Sequence, residues 1–150
     1  MRLDHVNIVV SDMGRSCRFY GEILGLRRGF EAVLEGEWIE RVTGLTGVRA
    51  QCVFFEFPAG GPRIELLQYE SPLGEALPPH GLPNTLGARH IAFDLEDMDG
   101  FVSRLKAAGV RFLSDPVEVP FNVGNMGRKW VCYFLDPDGV LLEAAAYEKL

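Results

Sequence analysis

The chain has 150 residues, 47% hydrophobic and 24% charged, enough for one compact domain or two closely packed modules that bury roughly two-thirds of the unfolded chain's surface. Its formal net charge is −6 and its 15 basic residues are scattered, which excludes the basic footprint of a nucleic-acid binder. No apolar run approaches the ~20 residues that span a bilayer, and MRLDHVNIVV enters a strand pattern with no cleavage site, so a cytoplasmic chain with no membrane partner is expected.

Leu3 to Val10 reads as a strand leading to Ser11-Asp12, a helix N-cap signal. A helix is predicted from about Met13 to Leu24, because Met13, Cys17, Tyr20 and Leu24 step by four, three and four into one stripe. Gly25 is placed to end it. Strands are predicted at about 26–34, 47–57 and 62–69. The segment 36–46, GEWIERVTGLT, is expected to form a short helix at a pocket mouth, with Trp38 and Ile39 packing on the sheet or capping a substrate. Glu70 to Gly87 contains Pro72, Pro78, Pro79 and Pro83 with three glycines, a linker composition. His80 falls there with no carboxylate or second histidine to match it, and is expected to be solvated.

The same order then recurs. Ala88 to Leu95 reads as a strand; Met98, Phe101, Val102 and Leu105 form a helical stripe closed by Gly109. Strands are predicted at about 110–120, 128–135 and 140–147. Module 1 therefore covers about 1–69, the linker about 70–87 and module 2 about 88–150. Cys17, Cys52 and Cys132 are odd in number and widely spaced, which fits reduced core thiols rather than a disulfide framework.

Four residues occupy matching places in these two copies. His5 in LDHVNIVVSDM and His90 in ARHIAFDLEDM each precede an Asp-Met pair, Asp12-Met13 and Asp97-Met98, by seven residues. Glu65 in IELLQY and Glu143 in LLEAAAY each stand four residues before a tyrosine, Tyr69 and Tyr147. Two imidazoles and two carboxylates suit one divalent ion of Zn, Fe, Mn, Co or Ni, leaving two octahedral places for water or substrate. Inward-facing carboxylates also need a partner to offset desolvation. Strand alternation puts Leu3, Asn7 and Val9 on the side of His5, and Arg63, Leu67 and Tyr69 on that of Glu65. Ala88 and Ala92 accompany His90, while Leu141, Ala145 and Tyr147 accompany Glu143. Asn7, Val9, Arg63, Leu67, Tyr69, Ala92, Ala145 and Tyr147 are thus the candidate substrate pocket, which is largely apolar.

DHVNIVVSDMGRSCRFYGEILGL, GARHIAFDLEDMDGFVSRLKAAGV and YFLDPDGVLLEAAAY resemble the vicinal oxygen chelate superfamily, which includes glyoxalase I, methylmalonyl-CoA epimerase, extradiol dioxygenases and bleomycin-binding proteins. The resemblance covers nearly the whole chain, including the Asp136-Pro137-Asp138-Gly139 turn. It implies an α+β fold of two tandem βαβββ modules around a curved mixed-sheet cleft, with metal ligands on the first and fourth strand of each module. His5, Glu65, His90 and Glu143 match those four positions. It further implies a metal-dependent lyase, isomerase or epimerase acting on a small substrate with neighbouring oxygens, Glu65 or Glu143 shuttling the proton, and a homodimer. An extradiol-type dioxygenase using His5, His90 and Glu143, or a metal-free antibiotic-binding resistance protein, is the alternative. The chain departs from typical glyoxalase I at Val9 and Tyr69, where that enzyme carries an Arg and an Asn that hold glutathione. It departs from the epimerase branch at Leu45-Thr46-Gly47-Val48, where a catalytic Glu usually stands.

Overall fold

The computed structural model describes residues 1–75 and 82–148; His80 lies outside the described residues. The chain divides into two compact units, Met1–Ala76 and Leu77–Leu150. Unit 1 runs β1 (His5–Val9), α1 (Met13–Cys17) continuing into a π-helical turn (Arg18–Ile23), β2 (Arg27–Glu35), α2 (Glu37–Thr43), β3 (Arg49–Glu56) and β4 (Arg63–Ser71). Unit 2 runs β5 (His90–Asp94), α3 (Met98–Ala107), β6 (Val117–Glu118), a 3₁₀ turn (Gly124–Met126), β7 (Arg128–Leu135) and β8 (Leu141–Glu148). Each unit holds one four-stranded mixed sheet, ordered β1-β4-β3-β2 and β5-β8-β7-β6. This is the expected α+β pattern, with βαβββ order in both halves. Among the described residues, no helix is long and apolar enough to cross a membrane.

The local reasons are the same in both units. Asp12 caps α1 by accepting from the Arg15 amide at 2.8 Å, and Asp97 caps α3 by accepting from the Gly100 amide at 2.9 Å; each such cap contributes about 1 kcal/mol. Gly25 and Gly109 leave the two helical segments at φ 82° and 79°, a conformation glycine adopts without a Cβ penalty. The last strand of each unit pairs parallel with the first and antiparallel with the strand before it. The core of unit 1 is built from Ile8, Phe19, Tyr20, Phe55, Ile64 and Leu66, all buried. In unit 2 Met98, Phe101, Val102 and Leu105 bury the predicted α3 stripe, and the Phe134 ring meets those of Phe93 and Phe101 at 6.2 and 5.7 Å.

Three elements depart from the sequence expectations. The first helix changes winding at Arg18, and the Leu24 amide donates to the Phe19 carbonyl five residues back at 2.9 Å. The extra residue in the turn carries Phe19 and Tyr20 both into the core, with Met13 and Ser16 buried before them and Cys17 and Leu24 only half-buried. The strand predicted at 110–120 reduces to Val117–Glu118, plus a bridge from Phe112 to Phe134. Pro116 has no amide hydrogen for a ladder, and the preceding Asp115 is drawn into an ion pair with Lys106 of α3. In α2, Ile39 is buried while Trp38 is 56% exposed, because adjacent helix positions point about 100° apart. Packing on the sheet therefore applies to Ile39 alone.

Leu105 is fully buried, so Leu105→Ala should cost about 2–5 kcal/mol of stability, the range for buried Leu→Ala truncation. Denaturant unfolding followed by circular dichroism checks this; a loss below about 1 kcal/mol would show that the site collapses around the cavity.

Candidate metal centre

In unit 1 the parallel register sets Asn7 opposite Glu65, so that His5, two residues before Asn7, reaches the Glu65 carboxylate diagonally. His5 Nε2 stands 3.5 Å from Glu65 Oε2. The other ring nitrogen, Nδ1, is 2.8 Å from Asp4 Oδ2, a carboxylate partner of the kind that fixes the orientation of a histidine ring. Asp4 is also paired with Arg63; hydrogen bonds from His5 and then from Arg63 hold its carboxyl below the usual range. Glu65 Oε2 accepts from Asn7 Nδ2 at 3.0 Å, while Oε1 accepts from the Cys52 thiol at 3.5 Å. Burial, followed by the Glu65 charge and hydrogen bond, pushes that thiol up to about 12. Phe54, opposite Glu65 on β3, presents its ring edge-on to His5 at 5.5 Å.

Unit 2 repeats the frame. Ala92 is opposite Glu143, and His90 Nε2 is 3.1 Å from Glu143 Oε2. Tyr133, opposite Glu143 on β7, lies 5.2 Å from the His90 ring. The remaining oxygen differs from unit 1: Glu143 Oε1 accepts from Lys129 Nζ at 2.7 Å. Burial alone would lower the Lys129 ammonium, but the hydrogen bond and charge of Glu143, followed by Tyr147, outweigh it and hold the group above its ordinary value. Glu143 is 5% exposed, so an ionised carboxylate there requires such a partner.

Each His–Glu pair fits half of a divalent-metal shell. Ligand atoms about 2.0–2.2 Å from a common ion stand about 2.8–3.1 Å apart at an octahedral angle and about 3.3–3.6 Å apart at a tetrahedral one; the 3.1 Å separation of His90 and Glu143 matches the first and the 3.5 Å separation of His5 and Glu65 the second. The structure brings His5 to Glu65 and His90 to Glu143, each within its own unit. Among the described residues, no group of three or more His, Cys, Asp or Glu side chains is gathered as a ready ligand cluster.

The model of one family, the Glyoxalase/Bleomycin resistance protein/Dioxygenase superfamily, matches residues 2–144. The chain belongs to this superfamily. It is 31% identical over 147 residues to a virulence protein of Salmonella typhimurium, covering 97% of this chain and 84% of that one. It is 28% identical over 142 residues to a 2-epi-5-epi-valiolone epimerase of an Actinomyces species, covering 93% of this chain and 75% of the epimerase. The solved structure of a glyoxalase family protein from Bacillus cereus superposes with a TM-score of 0.86 at 32% identity, covering 98% of this chain and 94% of that one. The fold is thus the glyoxalase-like fold of the superfamily.

The candidate pocket residues fall into distinct settings. Asn7 touches Glu65, and Arg63 is drawn to Asp4 with its guanidinium over the Phe54 ring at 4.5 Å. The Tyr147 ring lies 5.6 Å from Lys129 Nζ. Leu67 and Ala145 are buried, Tyr69 is half-buried, and Val9 and Ala92 are exposed. Sequence reasoning missed Asp4, Lys129 and the aromatic pair Phe54 and Tyr133. Alternation along β7 held a signal, since Lys129, Val131 and Tyr133 share one face, and a lysine on the face of a buried glutamate invites an ion pair. Cys52, expected as a core thiol, is buried and in addition donates to Glu65.

Burial and the Glu65 carboxylate keep the Cys52 thiol protonated well above the ordinary thiol range. A group whose folded pKa exceeds its ordinary 9.0 contributes stability that is complete below that pH and is lost as pH climbs from 9.0 toward about 12. At pH about 8 the buried Cys52 thiol should therefore be alkylated by iodoacetamide more slowly than Cys17, whose thiol burial also raises but which is only half-buried. Peptide mass spectrometry reads the labelling; Cys52 modified as fast as Cys17 without denaturant would contradict the buried, protonated thiol.

Proposed function

We propose that the chain is a divalent-metal-dependent enzyme of the glyoxalase-like kind, a lyase, isomerase or epimerase, acting on a small substrate that chelates through neighbouring oxygens. The observation that carries this reading is the repetition, in each unit, of one histidine Nε2 facing one glutamate oxygen at the same strand offset. Two histidines with only structural roles would not require a half-buried and a buried carboxylate at matched registers. His5, Glu65, His90 and Glu143 would hold the ion. When bound, it supplies Lewis acidity for negative charge that develops on the substrate oxygens.

The chain's own residues have separable tasks in this reading. Asp4 keeps the His5 ring in the tautomer and orientation that presents Nε2. Asn7 and Cys52 orient Glu65, and Lys129 orients Glu143. Glu65 or Glu143 takes a proton from the substrate carbon and returns it, as general base and then general acid. An epimerase among the relatives is in keeping with such proton traffic.

Equilibrium dialysis against Zn, Mn, Fe, Co and Ni should give near-stoichiometric uptake by the wild type and loss of uptake in His5→Ala and His90→Ala. No uptake of any of the five by the wild type would favour a metal-free binding protein. A screen of 2-oxo aldehyde adducts, acyl-CoA thioesters and catechols, in air and under anaerobiosis, then tests the reaction class. Oxygen-independent turnover should fall by about 10²–10⁴-fold in Glu65→Gln, the contribution typical of a general base. Oxygen-dependent catechol turnover that survives Glu65→Gln would replace this reading with a dioxygenase.

A further inference from the structure

We infer that Arg63 is a positioning residue for His5: it ties Asp4 against one ring nitrogen and lies on the Phe54 ring that meets the imidazole, so that Nε2 stays turned toward Glu65. This rests on the reading of His5 as a ligand given above, and every contact it uses lies within unit 1. Arg63 is the residue opposite His5 in the β1–β4 ladder. Its backbone amide donates to the Asp4 carbonyl at 3.0 Å, and its guanidinium pairs with Asp4 Oδ2. The same carboxylate oxygen stands 2.8 Å from His5 Nδ1. The guanidinium also lies 4.5 Å from the Phe54 ring centre, and the Phe54 and His5 rings meet at 5.5 Å with an angle of 86° between their planes. One side chain thus touches both neighbours of the imidazole.

The strand frame does not require this arrangement, because unit 2 repeats the frame without it. The residue before His90 is Arg89, whose Nε donates to the Ala88 carbonyl at 3.0 Å, and the residue opposite His90 is the buried Leu141. Stability does not explain it either. The Asp4 side chain is 58% exposed, and an ion pair this open to water contributes little to folding. What the pair supplies is direction. A guanidinium presents its donors in a rigid planar fork and packs on aromatic faces, so Arg63 over Phe54 holds the Asp4 carboxylate in one place. A carboxylate held in this way fixes both the orientation of a histidine ring and the nitrogen that carries its proton. Residues 1–4 precede β1 and are exposed; without Arg63, Asp4 would turn to solvent and the ring would lose its outer partner.

The test is nuclear magnetic resonance of the full chain labelled with ¹⁵N in its histidine rings and free of metal, with His5→Ala identifying the His5 signals. At pH about 9, above the ordinary histidine range, wild-type His5 should show one tautomer with the proton on Nδ1. Asp4→Asn and Arg63→Gln should both move its two nitrogen resonances toward those of a mixture of tautomers, while the His90 signals stay in place. Arg63→Lys, which keeps the charge, should return most of the shift. Chelator competition with Co²⁺ should then show affinity lowered by about 10–100-fold in Asp4→Asn, the loss typical when a ligand's outer partner is removed. Arg63→Gln should weaken binding in the same direction, and the Arg63→Gln/Asp4→Asn double variant should bind no worse than Asp4→Asn alone, as for residues that act through one another. If Arg63→Gln does not fold, Arg63→Met, which keeps the stem of the side chain, takes its place. A folded Arg63 variant with reduced thermal stability but wild-type His5 resonances would show a merely structural ion pair and overturn the inference. A wild type that binds no Co²⁺ while its His5 resonances respond as expected would sink the metal reading and leave the positioning role of Arg63 standing.

Discussion

Parallel pairing between the first and last strands of each unit is the constraint on which the rest depends. In a parallel ladder the chain must leave the sheet and return in the same direction, so β1 and β4, or β5 and β8, become neighbours only after a helix and two further strands have formed. That delay brings residues about sixty positions apart in unit 1, such as Asn7 and Glu65, into register. It also makes the last strand central, flanked on both sides, which is why its carboxylate must find its partners among neighbouring side chains rather than in solvent. Shifting either pairing by one residue would turn His and Glu to opposite faces, so the hydrophobic alternation of Ile64 and Leu66 specifies the site's geometry as firmly as it specifies the core.

The cost of desolvating the half-buried Glu65 and the buried Glu143 is met by two different solutions on one backbone plan. Unit 1 uses neutral donors and a histidine oriented by Asp4. Unit 2 uses a cation within the sheet. An ammonium and a carboxylate taken out of water together are stabilised only when the geometry is good, and losing one partner strands the other. A thiol and an amide impose no such penalty but hold their carboxylate less firmly.

Much of this was legible in the sequence, for reasons that can be assigned residue by residue. Period-two runs around Ile8, Ile64 and Phe134 and the α3 stripe from Met98 to Leu105 mark elements whose one face is buried, and burial is what periodicity reports. The repeat of His5 and His90, and of Glu65 and Glu143, was visible because duplication leaves matched spacings, and the family followed from the whole ordered set. The π turn at Arg18–Ile23 was not legible, since one surplus residue in a helix shifts the buried face without altering composition. Pro116 was a visible warning against the long strand at 110–120, and the pull of Lys106 on Asp115 is a tertiary contact no window contains. Lys129 was hidden for a similar reason: its meaning comes from Glu143, 14 residues later in sequence and reached only through the β7–β8 ladder.

The containment of each His–Glu pair within one unit has an evolutionary consequence. A half-site whose His–Glu contact lies within one unit can accept a substitution beside that contact without altering the pair in the other. Ala50 and Lys129 occupy equivalent rungs of the two sheets, yet one carries a methyl group and the other a half-buried cation. Divergence between the copies therefore needs no new loop, insertion or change of topology, only one altered side chain on a strand both halves inherited.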